Sequence, residues 1–260
     1  MTSWKRHQDR VYIVTGGGSG IGKATAVRLA AEGAAVVIAD VRADGANGAA
    51  AEIADRGGRA TAVACDVARE SDIANLVSEA TQRFGGLDGF FSNAGTAGGG
   101  WIHDMPLEEW ERVIRINLTG AFLLAKHALP VLIARGGGSI VTTGSIASIV
   151  VGPGGSSASY AASKGGLLQL TRQIAVDYGP QRIRANCLCP GGVATNLGVH
   201  VREDAPRISD KPLPRQKIGT PLGRIATPDE LAAAVSFLLS DEASFITGIA
   251  LLADGGFTAI

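Results

Sequence analysis

The sequence predicts an α/β protein built on one doubly wound parallel β-sheet, with helices on both of its faces. Two observations support this prediction. Short apolar runs rich in β-branched residues alternate with helical stretches along the whole chain, and the run at 35–39 is apolar at five consecutive positions. Unbroken apolar runs are typical of strands that are covered on both faces. No charge run, low-complexity segment or composition shift interrupts the alternation, so we expect residues 1–260 to form a single domain.

The strands are predicted from apolar runs of four to six residues. In chain order they are residues 11–15, 35–39, 61–64, 87–92, 139–143, 183–188 and 249–252. Because each run is followed by a helical stretch, right-handed crossovers and parallel pairing are expected.

The helices are predicted from apolar spacing and from their end signals. Gly85 ends one helix, while Thr227 and Pro228 mark the cap and first position of the last. Pro130 predicts a bend in the long fourth helix. The predicted helices are residues 20–32, 43–56, 70–84, 107–133, 157–178 and 228–239.

Charge and composition exclude several classes of protein. Lys plus Arg and Asp plus Glu both number 24, which gives no basic field for nucleic acid or an anionic membrane. No uninterrupted apolar run approaches the roughly 18 residues that span a bilayer, and residues 1–10 do not resemble a signal peptide. The three cysteines are too few for a disulfide framework, and no metal site is expected. We therefore expect a soluble cytoplasmic protein.

An irregular, proline-rich stretch at 190–227 is too long for a simple connection. We expect residues 193–226 within it to form a lid or substrate loop.

A glycine-rich turn over residues 15–22 lies directly between the first strand and the first helix. Backbone can approach a pyrophosphate closely only where side chains are missing, and the helix behind the turn directs free N–H groups at the same point. The turn therefore predicts a dinucleotide phosphate site. Its expected contacts are Gly16, Gly18, Ser19, Gly20, Ile21 and Gly22.

Asp40 follows Gly22 by 18 residues, at the end of the second strand. A carboxylate at this place can accept hydrogen bonds from both ribose hydroxyls and repels a 2′-phosphate, which favours NAD over NADP. The basic residues Arg42 and Lys23 are close in sequence to Asp40 and to the glycine turn, so binding of NADP remains an alternative. The alternative is that Asp40 only caps the next helix.

Tyr160 and Lys164 are four residues apart on a predicted helix and therefore share one face. A phenol with a pKa near 10 is a poor base at neutral pH. An ammonium about 4 Å away contributes about 4 kcal/mol at an effective dielectric constant near 20, which would lower the phenol pKa by roughly three units. Such a tyrosine can exchange a proton with an alcohol or a ketone.

These motifs occur in an order that resembles the classical short-chain dehydrogenase/reductase family, and the resemblance extends over about residues 10–257. The matching segments are the glycine turn at 15–22, Asp66-Val67, Asn93-Ala94-Gly95, Asn117, Ser145, Tyr160 with Lys164, Pro190-Gly191 and Asp254-Gly255-Gly256. The resemblance implies a Rossmann-type domain with a seven-stranded sheet, and usually a homotetramer. The helices at 107–133 and 157–178 are the candidate interface elements.

The resemblance also implies a role for each matching residue. Tyr160 is the acid/base, Lys164 lowers its pKa and binds the nicotinamide ribose, Ser145 binds the substrate oxygen, and Asn117 holds a relay water. The remaining expected cofactor contacts are Asp66, Val67, Asn93, Ala94, Gly95, Pro190, Gly191, Val193 and Thr195. The Ser145–Tyr160 spacing is about two residues longer than is usual in the family, which makes Ser148 a competitor for the serine role.

We expect an NAD(H)-dependent oxidoreductase that interconverts a secondary alcohol and a ketone. The first alternative is an NADPH-dependent 3-oxoacyl thioester reductase. The second is a dinucleotide-binding sensor without catalysis.

Overall fold

Seven parallel strands form one sheet in the computed structural model, which describes residues 5–151, 158–195, 197 and 219–259. The strands are β1 Val11–Thr15, β2 Ala35–Asp40, β3 Arg59–Ala64, β4 Gly89–Ser92, β5 Gly138–Thr143, β6 Ile183–Pro190 and β7 Ala250–Ala253. Their order across the sheet is β3-β2-β1-β4-β5-β6-β7. The predicted fold class is confirmed, and every predicted strand is present with small changes at its ends.

Helices cover the sheet between successive strands. They are α1 Gly20–Ala31, α2 Ala43–Asp55, α3 Glu70–Phe84, α4 Leu107–Ile114, α5 Gly120–Arg135, α6 Ala158–Tyr178 and α7 Pro228–Leu239. The predicted start of α7 is confirmed, since the Glu230 carboxylate accepts the N–H of Thr227 at 2.9 Å and Pro228 takes the first position.

Neighbouring side chains of the central strand β1 enter different halves of the core. Ile13 lies in one hydrophobic cluster with Leu124 of α5, whereas Val14 lies in the other with Leu29 of α1 and Val235 of α7. All five side chains are fully buried. Burial of each large side chain contributes about 1.5–3 kcal/mol to folding, so both faces of the sheet are held by hydrophobic contact.

The predicted bend at Pro130 is not where the long helical segment departs from α geometry. The departure is a π-helical turn, Arg115–Thr119, between α4 and α5, and Pro130 lies inside α5. Pro130 is exposed, so the helix carbonyl that it leaves without a donor can be hydrated. The π turn carries Asn117.

The helical segment Leu107–Arg135 is long and apolar enough to cross a membrane by length and composition alone. It is not an uninterrupted apolar run, since polar residues such as Asn117 and Lys126 divide it. Within this fold the segment is a core helix, since Leu124, Leu129 and Leu132 pack into the main hydrophobic cluster.

The strand order reverses direction between β1 and β4. From β1 the chain continues outward to β2 and β3, and then returns to place β4 on the other side of β1. In open parallel sheets a crevice for ligands forms at this switch point, outside the carboxyl ends of the strands. The glycine turn follows β1 at that edge.

Candidate active site

A cleft of about 500 Å³ opens at the carboxyl ends of β1, β2 and β4. Most of the predicted cofactor contacts line it. They are Gly16, Ser19, Gly20, Ile21, Asp40, Asp66, Val67, Asn93, Ala94, Gly95, Tyr160, Lys164 and Thr195. The structure therefore brings the glycine turn, the acidic strand end and the tyrosine–lysine pair to one cavity.

The glycine turn requires residues without side chains for two reasons. Gly16 has a φ of +62°, and a Cβ there would lie 2.9 Å from the Cα of Ala94. A Cβ on Gly22 would lie 2.1 Å from the carbonyl oxygen of Gly16, which is a severe overlap. Gly16 thus lets the turn approach the segment after β4 closely, while Gly22 allows α1 to pack against the turn. This packing role explains why Gly22 does not line the cavity.

The start of α1 provides amide groups for an anion. The helix begins at Gly20, and the N–H of Lys23 donates to Ser19 O at 3.1 Å. The first N–H groups of a helix have no partner within it and favour phosphate. Since Ser19, Gly20 and Ile21 line the cleft, the site fits the pyrophosphate of a dinucleotide.

The Asp40 carboxylate is fixed by backbone amides at the end of β2. Its two oxygens accept N–H groups from Gly18 and from Arg42, each at 3.0 Å. The Arg42 side chain lies alongside, with Nη2 3.2 Å from Ser19 Oγ and Nε 3.9 Å from the carboxylate. Gly18 does not line the cavity but holds the carboxylate that does.

Asn93 joins the ends of three neighbouring strands. Its Nδ2 donates to the carbonyl oxygens of Thr15 and Gly16, both at 3.2 Å, and its Oδ1 accepts from Thr143 Oγ1 at 3.2 Å. The residue therefore holds the glycine turn in place beside β4 and β5.

Asn117 lies in the π turn and its side-chain amide is well satisfied. Oδ1 accepts the N–H of Thr96 at 2.8 Å, and Nδ2 donates to Thr96 O and to Ser163 Oγ, both at 3.0 Å. Both amide hydrogens are thus engaged. A relay water in this place would have to bind the second lone pair of Oδ1 or a main-chain carbonyl of the π turn.

Lys164 is fully buried, and its ammonium reaches the tyrosine ring. Nζ donates to Thr143 O at 2.6 Å and lies 5.6 Å from the centroid of the Tyr160 ring. Burial lowers the pKa of the Lys164 amine to about 8. Gly95 leaves this corner open, since a Cβ there would lie 3.6 Å from Nζ and 3.3 Å from Asn117 Oδ1.

The expected lowering of the Tyr160 pKa is not produced by the protein groups alone. Burial raises the pKa of this phenol, and a hydrogen bond with Ser145 opposes the increase. The ammonium, expected about 4 Å from the phenol oxygen, instead lies over the ring and donates to Thr143 O.

Ser145 and Ser148 lie at the two ends of the turn after β5, and their hydroxyls are used differently. Ser145 Oγ accepts the N–H of Ala147 at 3.1 Å, and its hydroxyl faces Tyr160. Ser148 Oγ accepts the N–H of Ser145 at 3.2 Å and donates to Lys164 O at 2.9 Å. The single hydrogen of Ser148 is therefore committed to the protein.

Three further predicted contacts belong to the end of β6 and the loop after it, and do not line the cavity. Pro190 ends the strand, Gly191 donates its N–H to Ala253 O at 3.1 Å, and Val193 pairs with Ala226 in an isolated bridge. Most of the predicted substrate loop lies outside the described residues.

Some residues of the cavity were not predicted. They are Val41, Cys65, Thr96, Ile116, Thr143 and Leu197. Val41, Cys65, Thr96 and Ile116 are each next to a predicted residue in sequence, so extending the motifs by one residue would have identified these four. Leu197 lies in the predicted substrate loop. Cys187 and Cys189 are buried, as expected for core cysteines, with their sulfurs 3.8 Å apart.

Comparison with known proteins decides the family. The family model described as enoyl-(acyl carrier protein) reductase matches residues 16–258. A crystal structure of a short-chain type dehydrogenase/reductase from Mycobacterium marinum superposes with a TM-score of 0.89 at 33% identity, covering 99% of both chains. The chain belongs to the short-chain dehydrogenase/reductase family.

Curated relatives in this family are named dehydrogenases. Cis-4-hydroxycyclohexanecarboxylate dehydrogenase of Sinomonas cyclohexanicum is 45% identical over 253 residues, which are 97% of this chain and 98% of the relative. The 2-(S)-hydroxypropyl-CoM dehydrogenase 3 of Xanthobacter autotrophicus (strain ATCC BAA-1158 / Py2) is 40% identical over 258 residues, 98% and 99% of the two chains.

A 7α-hydroxysteroid dehydrogenase solved with NADH and 7-oxo glycochenodeoxycholic acid is 34% identical, with a TM-score of 0.88 and coverage of 98% and 97%. This short-chain dehydrogenase/reductase is therefore an oxidoreductase of CH–OH and C=O groups, in a family whose dehydrogenases use nicotinamide dinucleotides.

Proposed function

We propose that this protein oxidises a secondary alcohol on an alicyclic ring to the ketone, with NAD as hydride acceptor. The observation that carries the proposal is the meeting of Asp40, Tyr160 and Lys164 on one cleft, with Ser145 against the tyrosine.

Ser145 is proposed as the serine that binds the substrate oxygen. Its hydroxyl faces Tyr160 and is not bound to a backbone carbonyl, so it can turn to a substrate oxygen beside the phenol, whereas the hydrogen of Ser148 is already donated to Lys164 O. A donor aimed at the place where charge develops is among the strongest contributions to catalysis.

Tyr160 is proposed as the group that takes the hydroxyl proton of the alcohol. An oxidised nicotinamide, when bound, would accept the hydride of the carbinol carbon. Tyr160 takes the O–H proton as the phenolate, after its own proton has passed to the Lys164 amine or to solvent, and the alcohol then becomes the ketone. Lys164 is the adjacent proton donor or acceptor, because its pKa of about 8 lies close to neutrality.

NAD is proposed over NADP because of the fixed Asp40 carboxylate. It is only 7% exposed and is held by two amides, so it cannot rotate away from a 2′-phosphate. The NADH bound to the hydroxysteroid dehydrogenase supports the same choice.

A ring substrate is proposed from two lines of support. The hydroxycyclohexanecarboxylate and hydroxysteroid dehydrogenases are both named for ring alcohols. In this chain, exposed apolar residues follow the Ser145 turn at Ile149, Val150 and Val151, and Leu197 lines the cleft. We propose residues 193–226 as the substrate loop, since its described part includes Leu197 and the Val193–Ala226 bridge.

The second candidate is reduction of the 3-oxo group of an acyl thioester with NADPH. The matching family model is described as an enoyl-(acyl carrier protein) reductase, and Arg42 lies beside Ser19 where it could meet a 2′-phosphate. The reaction with NADPH and a 3-oxoacyl thioester would distinguish this candidate.

The deciding experiment offers cyclic and acyclic secondary alcohols with NAD and with NADP, and follows the absorbance of the reduced cofactor. Tyr160→Phe is compared with Tyr178→Phe, which changes another tyrosine of α6 outside the cleft. We expect Tyr160→Phe to lower kcat about 100- to 10,000-fold with nucleotide affinity retained. If wild type is active and the two variants are equally active, Tyr160 is not the acid/base. If wild type shows no turnover, the result fits a dinucleotide-binding sensor without catalysis.

We also propose a homotetramer in the cytoplasm. Phe122 of α5 and Val176 of α6 are exposed apolar side chains on the candidate interface helices, and three buried free thiols suit a reducing compartment. Sedimentation of a monomer at micromolar concentration would contradict the tetramer.

A further inference from the structure

We propose that Ser148 is a positioning residue, which fixes the turn that carries Ser145 to the helix that carries Tyr160 and Lys164. The inference rests on the proposed function, since it concerns the geometry of the same proton transfer. Ser148 itself would not touch the substrate.

Ser145 and Ser148 are linked within the three-residue 3₁₀ turn after β5. Ser145 precedes the turn and Ser148 ends it. Ser148 Oγ accepts the Ser145 N–H at 3.2 Å, and the Ser148 N–H donates to Ser145 O at 2.9 Å. These two bonds close the turn and set the backbone from which the Ser145 side chain extends.

The same hydroxyl reaches out of the turn. It donates to the main-chain oxygen of Lys164 at 2.9 Å, in the interior of α6. A carbonyl oxygen inside a helix already accepts a hydrogen bond from the N–H four residues later, so the Ser148 bond is not needed to satisfy the Lys164 carbonyl. Its effect is to define the position of the turn relative to the helix.

A second bond acts on the same lysine from the other side of Ser145. Lys164 Nζ donates to Thr143 O at 2.6 Å. Thr143 lies two residues before Ser145, and Ser148 three residues after it. The segment that presents Ser145 is therefore tied to Lys164 at both ends, once through the side chain of the lysine and once through its backbone.

Little space separates this turn from the strand beneath it. A Cβ on Gly144 would lie 3.0 Å from Ser148 Oγ and 2.6 Å from Cys187 Sγ. Because the turn rests on β6, loss of the Ser148 bonds would allow it to tilt relative to α6 rather than to collapse inward. A tilt would change how the Ser145 hydroxyl meets Tyr160, and that hydroxyl opposes the increase in the Tyr160 pKa caused by burial.

The test compares Ser148→Ala and Ser148→Thr with a matched control, Ser139→Ala. Ser139 lies at the opposite end of β5 and, like Ser148, donates its hydroxyl to a helix carbonyl, Leu238 O, at 3.0 Å. For each variant, kcat and KM for oxidation of the alcohol are measured as a function of pH, together with nucleotide affinity. The titration of the Tyr160 phenol is followed spectroscopically, as the difference between a protein that has Tyr160 and the Tyr160→Phe variant.

We expect Ser148→Ala to lower kcat about 10- to 100-fold, as a misplacement near 1 Å does, with nucleotide affinity within about twofold of wild type. The rise of activity with pH and the phenol titration should both move to higher pH. Ser148→Thr, which keeps the hydroxyl, should restore most of the rate, and Ser139→Ala should leave the rate and the pH profile unchanged.

The inference is overturned if Ser148→Ala keeps kcat within twofold and an unshifted titration, or if Ser148→Thr is as slow as Ser148→Ala. Should the alanine variant not fold, Ser148→Val replaces it, because valine and threonine have the same shape and differ in the hydroxyl. If no variant without the hydroxyl folds, the role is structural and the inference is likewise overturned. A failure of the proposed function is separate: wild type would then have no turnover, or Tyr160→Phe would retain it.

Discussion

Asp40 and Gly18 are joined by a hydrogen bond from the Gly18 N–H to Asp40 Oδ2, with a length of 3.0 Å. The bond connects the end of β2 to the glycine turn, and a Cβ on Gly18 would lie 2.9 Å from the same oxygen. The negative charge is therefore placed by the backbone, at the side of the cleft where a ribose would bind.

Replacing Asp40 with serine should shift cofactor preference towards NADP. The substitution removes a charge that repels a 2′-phosphate and leaves Arg42 beside Ser19. Because like charges in contact cost several kcal/mol, we expect the ratio of kcat/KM with NADP to that with NAD to rise at least about 10-fold. Asp44→Asn, which neutralises an exposed carboxylate in the first turn of α2, is the control. A change below twofold in Asp40→Ser would show that this carboxylate does not select the cofactor.

Alanine at Gly22 and at Gly48 should have opposite effects on stability. At Gly22 the new Cβ would overlap Gly16 O, whereas at Gly48, in α2, it would meet nothing within 4 Å. We expect Gly22→Ala to lower the melting temperature and abolish nucleotide binding, and Gly48→Ala to stabilise the fold by about 0.5–1 kcal/mol through helix propensity. Calorimetry and nucleotide titration measure both; normal nucleotide binding by Gly22→Ala would refute the packing role.

Lys164→Met should stabilise the fold while it removes activity. In the unfolded chain the amine has a pKa near 10.5, and burial lowers it to about 8. Below pH 8 the folded protein therefore carries the full desolvation cost of about 3 kcal/mol, which disappears as the pH rises to 10.5. Methionine avoids this cost and loses the bond to Thr143 O, worth about 1 kcal/mol. The net gain is about 2 kcal/mol at pH 7.

Urea unfolding at pH 7 and at pH 10 measures this effect. The gain from Lys164→Met should be smaller at pH 10, and the exposed Lys126→Met should show no such pH dependence. A variant that is less stable than wild type at pH 7 would mean that the buried ammonium is stabilising.

His7→Gln should reduce the sensitivity of the fold to acid. His7 is 1% exposed, with its ring nitrogens 3.1 Å from Tyr12 Oη and from Ser236 Oγ. Burial lowers its pKa to about 4, against the opposing influence of Glu32. The depressed pKa contributes stability above pH 6.5 that is lost as the pH falls towards 4, amounting to about 3 kcal/mol.

The glutamine variant should be less stable at pH 7, where it loses hydrogen bonds, but its stability should fall less steeply between pH 6.5 and 4. Carboxylates titrate in the same range, so His103→Gln, at an exposed histidine, gives the reference slope. Identical slopes for the two variants would assign the acid sensitivity to other groups.

The sequence was sufficient for the fold because its signals are local. The apolar run before the glycine turn, Gly85 after α3 and Pro228 at the start of α7 each mark an element by composition alone, and the structure has all of them. The cleft was also predictable, because parallel strands bring their carboxyl ends to one edge and the motifs follow those ends.

Features that depend on packing were not predictable. Pro130 is a strong local signal for a bend, yet the π turn forms at Arg115–Thr119, where no residue type marks it. The Tyr160–Lys164 spacing places both residues on one face but does not reveal that the ammonium bonds to Thr143 O. Likewise, the sequence left both Ser145 and Ser148 as candidates for the serine that binds the substrate oxygen. Their roles are distinguished by the hydrogen bond from Ser148 Oγ to Lys164 O, which only the structure reveals.

The burial of Cys65, Cys187 and Cys189 has a practical consequence for handling this enzyme. The chain holds no other cysteine, so a single thiol engineered onto the surface would react with maleimide reagents in preference to Cys65, which lines the cleft but is only 3% exposed. If it were placed at the amino ends of the strands, a dye or a solid support could be attached on the side remote from the cleft, and turnover on the immobilised molecule would continue unobstructed.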